Sequence, residues 1–394
     1  MFRIAKRVAA LESSATIAVS ERAARLKAEG RDIVAFSAGE PDRDTPEHIR
    51  QAAVDAMRAG HTRYTATAGI LALRAAIAQK LRRDNGLSFA PEEVLVSTGG
   101  KHALFNVLAS IVDDGSEVLI PSPYWTSYPE MVKAAGGVPV IVSGDRARDY
   151  RIDAATLEKA VTPRTAAIVI NSPSNPTGAV YPEAELREIA LLARRREVVL
   201  VSDEIYEKLV YDGAAHVSPA RWAPERTVVI NGVSKTYCMT GWRIGYAAGP
   251  REIVEAATRL QSQMTSNACS VAQHAALAAL TGGEEFLVEL REEYRRRRDL
   301  MVDGLSKIPG LGVPRPPGAF YLFVNVSAHY RGAIKSSLDF CEALLDDVGV
   351  AVVPGSAFGE DRCVRFTFCV SPDRIRDGVG RLAAFVGKLD ERRG

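Results

Sequence analysis

Short runs of apolar residues alternate with helical patterns along the chain from about residue 45 to residue 249. The runs are rich in valine and isoleucine, and several are almost wholly apolar, as strands covered on both faces are. The predicted strands are residues 94–96, 118–120, 138–142, 166–170, 198–201, 228–230 and 244–247. Helices that alternate with buried strands are typical of a mostly parallel sheet flanked by helices, so the pattern predicts an α/β fold.

One predicted helix in this region has clear signals at both ends. Thr45 can cap its first turn, Pro46 suits the first turn, and Glu47 favours the positive end of the helix dipole. Gly60 can end the helix. We therefore predict a helix between these positions, capped by Thr45.

The pattern changes after Gly249, where long helical stretches include residues 284–305 and 338–345 and apolar runs at 318–324 and 364–368 predict strands. This change predicts a second, smaller α+β domain. The predicted division is a large domain of residues 46–285 and a small domain built from both termini, residues 1–45 and 286–394.

Four consecutive arginines, residues 295–298, fall within one of these predicted helices. Glu292, Glu293 and Asp299 flank them and can balance their charge. Such a run usually forms the solvated face of a helix, which is the prediction here.

Composition and charge exclude several classes of partner. The 394 residues are 47% hydrophobic and 25% charged, as expected of a globular protein with a large core. The formal net charge of +2 provides no field to hold a phosphate backbone, so nucleic acid is not an expected partner. No apolar stretch approaches the ~20 residues that cross a bilayer, so no membrane association is expected either.

Cysteine and histidine usage favours a reducing compartment and no metal. The five cysteines form no C-x-x-C pair, and no two of the six histidines have the spacing of metal ligands. We therefore predict a cytoplasmic protein. Residues 1–7 are basic and could in isolation be an organelle-targeting segment, although Glu12 and the helical pattern after it favour folded structure.

Polar residues follow three of the predicted strands directly. Residues 171–178, 202–206 and 231–235 come after strands 166–170, 198–201 and 228–230. Active sites of α/β folds lie at the carboxyl ends of strands, so an amide, a carboxylate, a phenol and a lysine should meet at one edge of the sheet.

A lysine at such an edge can form a Schiff base when its pKa is depressed, and pyridoxal phosphate (PLP) is the electron sink that makes this useful. The cofactor needs a carboxylate at its ring nitrogen and donors at its phenolic oxygen. Its phosphate needs backbone N–H groups, a hydroxyl and an arginine. The sequence offers all of these groups, and PLP is the predicted cofactor.

Three ordered motifs connect these residues to a known family. They are SPSNPTG at 172–178, SDEIY at 202–206 and SKTYCMTGWRIGY at 234–246. With them, nearly the whole chain resembles the class I/II aminotransferases of PLP fold type I. Within that family it is most similar to the bacterial aspartate aminotransferase branch that includes prephenate aminotransferases.

The resemblance implies a role for each matching residue. Lys235 would bind the cofactor covalently and later move a proton between the substrate's α-carbon and the cofactor, while Asp203 would pair with the ring nitrogen. The other implied cofactor contacts are Asn175 and Tyr206 at the phenolic oxygen, Trp125 on the ring, and Ser234, Arg243, Gly100, Lys101 and the neighbouring subunit's copy of Tyr64 at the phosphate.

The resemblance also implies substrate contacts and a homodimer with shared active sites. Arg365 would hold the substrate α-carboxylate, and the backbone of Gly39 would contact it beside the arginine. Trp125 and Asn175 are the other implied substrate contacts. Lys101 could instead contact substrate or extend into solvent.

Each residue also has an ordinary structural interpretation when it is taken alone. Lys235 could be a surface lysine, Asp203 a helix cap, Trp125 a core residue and Arg365 a salt-bridge partner. Their joint occurrence in one frame favours the site.

Two positions depart from the family pattern near the expected substrate pocket. Glu12 occupies a place where dicarboxylate-specific members commonly carry a Lys-Pro pair, and a carboxylate in the pocket there would repel an acidic substrate. Glu12 could instead point to solvent, which would leave the enzyme an aspartate or broad-range aminotransferase. Arg43 replaces a common aromatic residue, and it could restore positive charge or pair with Asp42, Asp44 or Glu12.

Three functions are compatible with these residues. The leading one is an aminotransferase that uses an L-amino acid and a 2-oxo acid, with aspartate and 2-oxoglutarate the first pair. The alternative is elimination, replacement or cyclisation on a cationic or bulky amino acid such as S-adenosylmethionine, a reading prompted by Glu12 and Arg43. A binding protein without catalysis would be expected to lack Lys235, Asp203 or Arg365, and all three are present.

Overall fold

All seven strands predicted between residues 94 and 247 form, and they hydrogen-bond into one sheet. The structure is a computed structural model that describes residues 2–12 and 15–391. The strands of the described chain are β1 Val34–Ala35, β2 Val94–Thr98, β3 Glu117–Ser122, β4 Val138–Ser143, β5 Thr165–Asn171, β6 Val199–Asp203, β7 Thr227–Gly232, β8 Ile244–Ala248, β9 Tyr321–Asn325, β10 Val350–Ala351, β11 Val353–Pro354 and β12 Cys363–Thr367.

Helices connect and cover these strands. The helices are α1 Lys6–Ala9, α2 Ala15–Ala28, α3 Glu47–Arg58, α4 Leu71–Asn85, α5 Gly100–Ile111, α6 Ser127–Ala134, α7 Ala154–Ala160, α8 Glu183–Arg195, α9 Arg251–Met264, α10 Ser270–Thr281, α11 Glu285–Leu305, α12 Ser337–Val348 and α13 Pro372–Glu391. Among the described residues, no helix has the length and apolar character needed to cross a membrane.

The large sheet has the strand order β2-β8-β7-β6-β5-β3-β4. β8 runs antiparallel to both of its neighbours, and all other neighbours are parallel. The carboxyl ends of β5, β6 and β7 therefore lie along one edge, as the sequence predicts. The predicted mostly parallel α/β fold is confirmed.

Burial explains why the strands are so apolar. Residues of α5 and α6 pack with β3, β5 and β6 in one buried cluster, whereas residues of α8 pack with β5 and β6 in another. β4 is an edge strand and leaves Val138 and Ile141 partly exposed.

A second, antiparallel sheet has the order β11-β12-β9, and α11, α12 and α13 contribute to its buried cluster. The N-terminal strand β1 pairs in parallel with β10, so an N-terminal segment joins the C-terminal part of the chain. The division into domains of residues 46–285 and of both termini stays a prediction.

The predicted cap of α3 is wrong. The helix begins at Glu47 after Pro46, and Thr45 makes no capping hydrogen bond. Its hydroxyl donates instead to the Cys238 carbonyl at 2.6 Å and accepts from Trp242 Nε1 at 2.9 Å. The Thr45 hydroxyl, which the local pattern assigned to the start of α3, is thus used in tertiary contacts instead.

The prediction that residues 295–298 form a solvated face is correct for only half of the run. Arg295 and Arg296 lie outward, but Arg297 and Arg298 are buried. Arg298 has no exposed surface; it pairs with Asp212 and donates to the Pro316 carbonyl. Successive residues of an α-helix turn by about 100°, so four in a row cannot share one face.

Candidate active site

A cavity of about 280 Å³ lies at the edge where β5, β6 and β7 end. Every residue to which the sequence assigned a site role lines it, except Tyr64 and Glu12. The lining residues from that set are Gly39, Gly100, Lys101, Trp125, Asn175, Asp203, Tyr206, Ser234, Lys235, Arg243 and Arg365. The fold therefore brings the predicted groups together, while the role of each stays a prediction.

Lys235 follows β7, and it is partly buried in the wall of the cavity. Its Nζ donates to the carbonyl of Gly39 at 2.5 Å. Burial disfavours the charged ammonium and lowers the pKa of Lys235 to about 8. The amine thus reaches its neutral, nucleophilic form close to physiological pH.

Asp203 ends β6 and is also buried. Tyr128 donates its hydroxyl hydrogen to Oδ2 of Asp203 at 2.7 Å, and the N–H of Ile205 donates to Oδ1 at 3.2 Å. Burial raises the pKa of Asp203 to about 6, and the two hydrogen bonds oppose that rise. Sequence reasoning did not find Tyr128.

Tyr206 pairs with a second tyrosine that the sequence motifs do not mark. The hydroxyls of Tyr206 and Tyr321 lie 2.9 Å apart, and both side chains are buried. The ring of Tyr321 also faces Arg365, whose Cζ is 4.4 Å from the ring centroid. Tyr321 therefore links a predicted cofactor contact to the predicted substrate arginine.

Arg365 is a buried cation without a carboxylate partner among the described residues. Its Nη1 donates to Oδ1 of Asn175 and its Nη2 donates to the carbonyl of Ser37, both at 2.9 Å, while Nε has no partner. The residue is only 2% exposed, and burial lowers its pKa. An unpaired buried guanidinium that lines a cavity suits a carboxylate ligand.

Asn175 is held in place by its own loop. Its N–H donates to Oδ1 of Asn171 at 2.7 Å, and Nδ2 of Asn171 donates to the carbonyl of Asp203 at 2.9 Å. The loop after β5 is thereby tied to the end of β6. Asn171, which ends β5, also lines the cavity.

The start of α5 has the features of an anion-binding site. Gly99 precedes the helix with a φ of +86°, and a β-carbon there would lie 2.5 Å from Nη2 of Arg243. A β-carbon on Gly245 would lie 2.1 Å from the backbone nitrogen of Gly100. The two glycines thus let a guanidinium and a helix N-terminus approach each other, with the Ser234 side chain nearby in the same lining.

Lys101 rests on the aromatic wall of the cavity. Its Nζ lies 4.9 Å from the centroid of the Trp125 ring, a cation–π contact. Burial, and then the charge of Arg243, lower the pKa of Lys101. The amine therefore stands beside the cavity, where it can meet a ligand.

Tyr64 and Glu12 lie outside the cavity lining. Tyr64 is 89% exposed. Glu12 is exposed, and its backbone N–H donates to Oε2 of Glu130 at 2.8 Å. Ser13 and Ser14 of the same segment lie outside the described residues, and the N-terminal lining comes from Thr16 and Ile17.

Arg43 forms an ion pair with none of its three predicted partners, Asp42, Asp44 and Glu12. It pairs with Glu293 and, at 4.0 Å, with Glu289, both on α11. Asp42 pairs instead with Arg297 at 2.8 Å. Because its guanidinium is engaged by α11, Arg43 does not contribute a cation to the cavity lining.

One group of described side chains behind Asp203 has the composition of a metal site. Potential ligand atoms of Glu204, Glu207 and His216 lie within 4.8 Å of one another. Glu207, however, is already paired with Lys80 and accepts from Asn85, and Glu204 accepts from two serine hydroxyls. The hydrogen bonds of this group are internal to the fold.

Comparison with known proteins gives one consistent result. The sequence model described as aminotransferase class I and II matches residues 31–382. An aspartate aminotransferase of Geobacillus stearothermophilus is 48% identical over 98% of this chain and 99% of its own length. An aspartate/prephenate aminotransferase of Cereibacter sphaeroides is 47% identical over 97% of this chain and 98% of its own.

A solved structure agrees with the sequences. The aspartate aminotransferase of Thermus thermophilus with maleate has a TM-score of 0.94 and 47% identity, covering 98% of this chain and all of that one. The predicted fold type I architecture and the resemblance to the bacterial aspartate and prephenate branch are confirmed, and the comparisons do not favour elimination or cyclisation. On sequence and fold together, the chain belongs to the class I and II aminotransferases.

Proposed function

We propose that this protein uses PLP to move an amino group between L-aspartate and a 2-oxo acid such as 2-oxoglutarate. The observation that carries the proposal is one cavity lined by the partly buried Lys235 amine, the buried Asp203 carboxylate and the buried Arg365 guanidinium, which has no carboxylate partner among the described residues. Relatives named aspartate aminotransferase support the choice of aspartate.

The residues of the cavity fit the cofactor. Because Gly99 and Gly245 have no β-carbon, the start of α5 and Arg243 come close together and leave space for an anion such as the phosphate. Lys235 adds an amine with a lowered pKa. The residues that would hold PLP are Asp203 at the ring nitrogen, Asn175 and Tyr206 at the phenolic oxygen, Trp125 on the ring, Ser234, Arg243 and the first N–H groups of α5 at the phosphate, and Lys235 at the aldehyde. When bound, PLP supplies an electron-withdrawing ring conjugated to the substrate's α-carbon.

Two side chains of the protein would carry out the remaining chemistry. The neutral Lys235 amine would accept the proton from the α-carbon of the amino acid and return a proton in the next step. Arg365 would bind the α-carboxylate through two N–H groups of its guanidinium and so orient the α-carbon toward that amine. The partly buried amine and the buried guanidinium both line the cavity, where a bound substrate would exclude water from the transferred proton.

The distal carboxylate of aspartate would be met by Lys101, held against Trp125 at one wall of the cavity. Glu12 does not line the cavity, which removes the main reason to expect repulsion of acidic substrates. The position of Glu12 thus supports an acidic amino acid.

A homodimer belongs to the same proposal. Tyr64 is exposed and does not reach the cavity of its own chain, as expected of a residue that serves the phosphate of a second copy. The cytoplasmic location stays a prediction, supported by five cysteines that form no disulfide.

The direct test is turnover of purified holoenzyme with aspartate and 2-oxoglutarate. We expect oxaloacetate and glutamate in equal amounts with ping-pong kinetics, and we expect Lys235→Ala to abolish turnover while the fold remains intact by circular dichroism. Activity retained by Lys235→Ala, or turnover with other amino donors but not aspartate, would contradict the proposal. A panel of aromatic and aliphatic amino acids measured in parallel identifies the donor in the latter case.

A further inference from the structure

Tyr128 contacts a catalytic group from an element that the sequence motifs do not include. We propose that Tyr128 is a positioning residue, which holds the Asp203 carboxylate ionised and in one orientation so that it can pair with the ring nitrogen of the cofactor. The pairing with the cofactor rests on the function proposed above, whereas the effect of Tyr128 on Asp203 does not.

The geometry directs the tyrosine hydroxyl at the carboxylate. Tyr128 is the second residue of α6 and is 3% exposed, and its hydroxyl donates to Oδ2 of Asp203 at 2.7 Å. The other hydrogen bond to the carboxylate comes from the Ile205 N–H to Oδ1. A carboxylate can accept about four hydrogen bonds, so these two fix its plane and leave capacity for a donor in the cavity.

The Tyr128 hydroxyl stabilises the charged carboxylate of Asp203, which is otherwise unfavourable because the residue is buried. Burial raises its pKa, the hydrogen bonds from Tyr128 and Ile205 lower it, the nearby charge of Glu204 raises it and that of Lys235 lowers it. Burial also raises the pKa of Tyr128 well above 10, so the phenol remains a donor. The Tyr128 hydroxyl thus donates the side-chain hydrogen bond that favours the charged form of Asp203.

Packing alone does not require the hydroxyl. The ring of Tyr128 meets Trp125 edge-on with centroids 5.4 Å apart, and it joins an apolar cluster with α5 and β5. A phenylalanine could make these same contacts. The neighbouring Glu204 cannot replace the phenol, because its carboxylate accepts from Ser202 and Ser218 and lies against His216.

The experiment compares Tyr128→Phe with a matched control. Tyr211 is equally buried and its hydroxyl donates to the Ala319 carbonyl at 2.6 Å, away from the cavity lining. Tyr211→Phe therefore loses a buried phenolic hydrogen bond without touching Asp203. Carboxyl titration is followed by infrared difference spectroscopy on the cofactor-free protein, and the Asp203 band is assigned by its loss in Asp203→Asn.

We expect the titration midpoint of Asp203 to rise by about one pH unit or more in Tyr128→Phe and to stay unchanged in Tyr211→Phe. The dissociation constant for PLP should rise about tenfold in Tyr128→Phe, and the loss should grow as the pH falls. An unchanged midpoint in Tyr128→Phe would overturn the proposal, as would an equal shift in Tyr211→Phe. If no variant binds PLP, the proposed function fails, while the titration in the same samples still decides the role of Tyr128.

Discussion

Lys235 and Asp203 are moved out of their usual titration ranges in opposite directions by the same cause. Burial lowers the pKa of the lysine to about 8 and raises that of the aspartate to about 6. Each shift favours the neutral form of its group, because the buried cavity wall solvates charge poorly. A pair of titratable groups whose pKa values approach neutrality is typical of a catalytic site.

The lysine shift predicts how cofactor attachment depends on pH. With a pKa of about 8, only about a tenth of Lys235 is neutral at pH 7 in the cofactor-free protein. Because the neutral amine is the nucleophile, the rate of PLP attachment should rise with pH through about 8 and then level off. Borohydride reduction at timed intervals, followed by mass spectrometry of the Lys235 peptide, measures this rate. A rate that does not change between about pH 6.5 and 9 would contradict the assignment.

Glu12 gives a prediction in which no change is expected. Glu12→Lys should leave kcat/KM for aspartate unchanged within about twofold, because Glu12 is exposed, lies outside the cavity lining and is screened by salt. Lys101→Gln is the comparison, and it should lower kcat/KM for aspartate by about tenfold or more. A clear gain for Glu12→Lys would place its side chain at the distal carboxylate after all.

Single residues show where sequence reasoning succeeds and where it stops. Lys235 and Asp203 could be found because Asp203 ends the apolar strand β6 and Lys235 lies in the short segment after β7, so the local pattern already fixes the edge on which they lie. Tyr128 and Tyr321 could not be found this way. Tyr128 is 75 positions from Asp203, and Tyr321 is 115 positions from Tyr206, so only the packed structure brings them together.

Among the elements, α5 and β8 approach each other closely at the site. The N-terminus of α5 reaches the site because Gly245 on β8 has no side chain to keep it away. The apolar pattern predicted β8, but it could not predict the distance between β8 and the start of α5, which depends on one missing β-carbon. The same limitation explains Thr45, whose hydroxyl serves Cys238 and Trp242 instead of the start of α3.

This contact predicts a selective loss of phosphate binding. Gly245→Ala would place a β-carbon 2.1 Å from the Gly100 nitrogen, so α5 must move and the free energy of unfolding should fall by about 1–3 kcal/mol. Affinity for PLP should fall more than affinity for pyridoxal, which has no phosphate. Titration of both ligands into the cofactor-free protein measures the ratio of their dissociation constants. Gly241→Ala is the control, since a β-carbon there meets no atom within 4 Å; an equal loss for both ligands would contradict the predicted cradle.

At the scale of the whole molecule, Arg365 joins three distant parts of the chain. It lies on β12 of the small sheet, donates to Asn175 after β5 of the large sheet and donates to the Ser37 carbonyl after β1. A buried cation without a carboxylate partner lowers stability until an anion arrives. Binding of a carboxylate should therefore tighten the contact between these parts.

Thermal unfolding with and without succinate tests this coupling. Succinate should raise the Tm of the wild-type protein by several degrees, because a ligand that binds only the folded state stabilises it. Arg365→Met should remove that rise, and its Tm without ligand should equal or exceed the wild-type value since a buried unpaired charge is gone. Arg376→Met is the control, because Arg376 lies exposed on α13. A succinate effect that persists in Arg365→Met would place the carboxylate elsewhere.

The order of the strands along the sequence also has a consequence during synthesis of the chain. β5, β6 and β7, which position Asn175, Asp203 and Lys235, are synthesised well before β9 and β12, whose pairing holds Arg365. A chain shortened by a premature stop codon or by a protease before β12 retains every side chain proposed for cofactor contact but lacks the guanidinium proposed for the substrate. Only a nearly complete translation product can therefore bind the substrate α-carboxylate through Arg365.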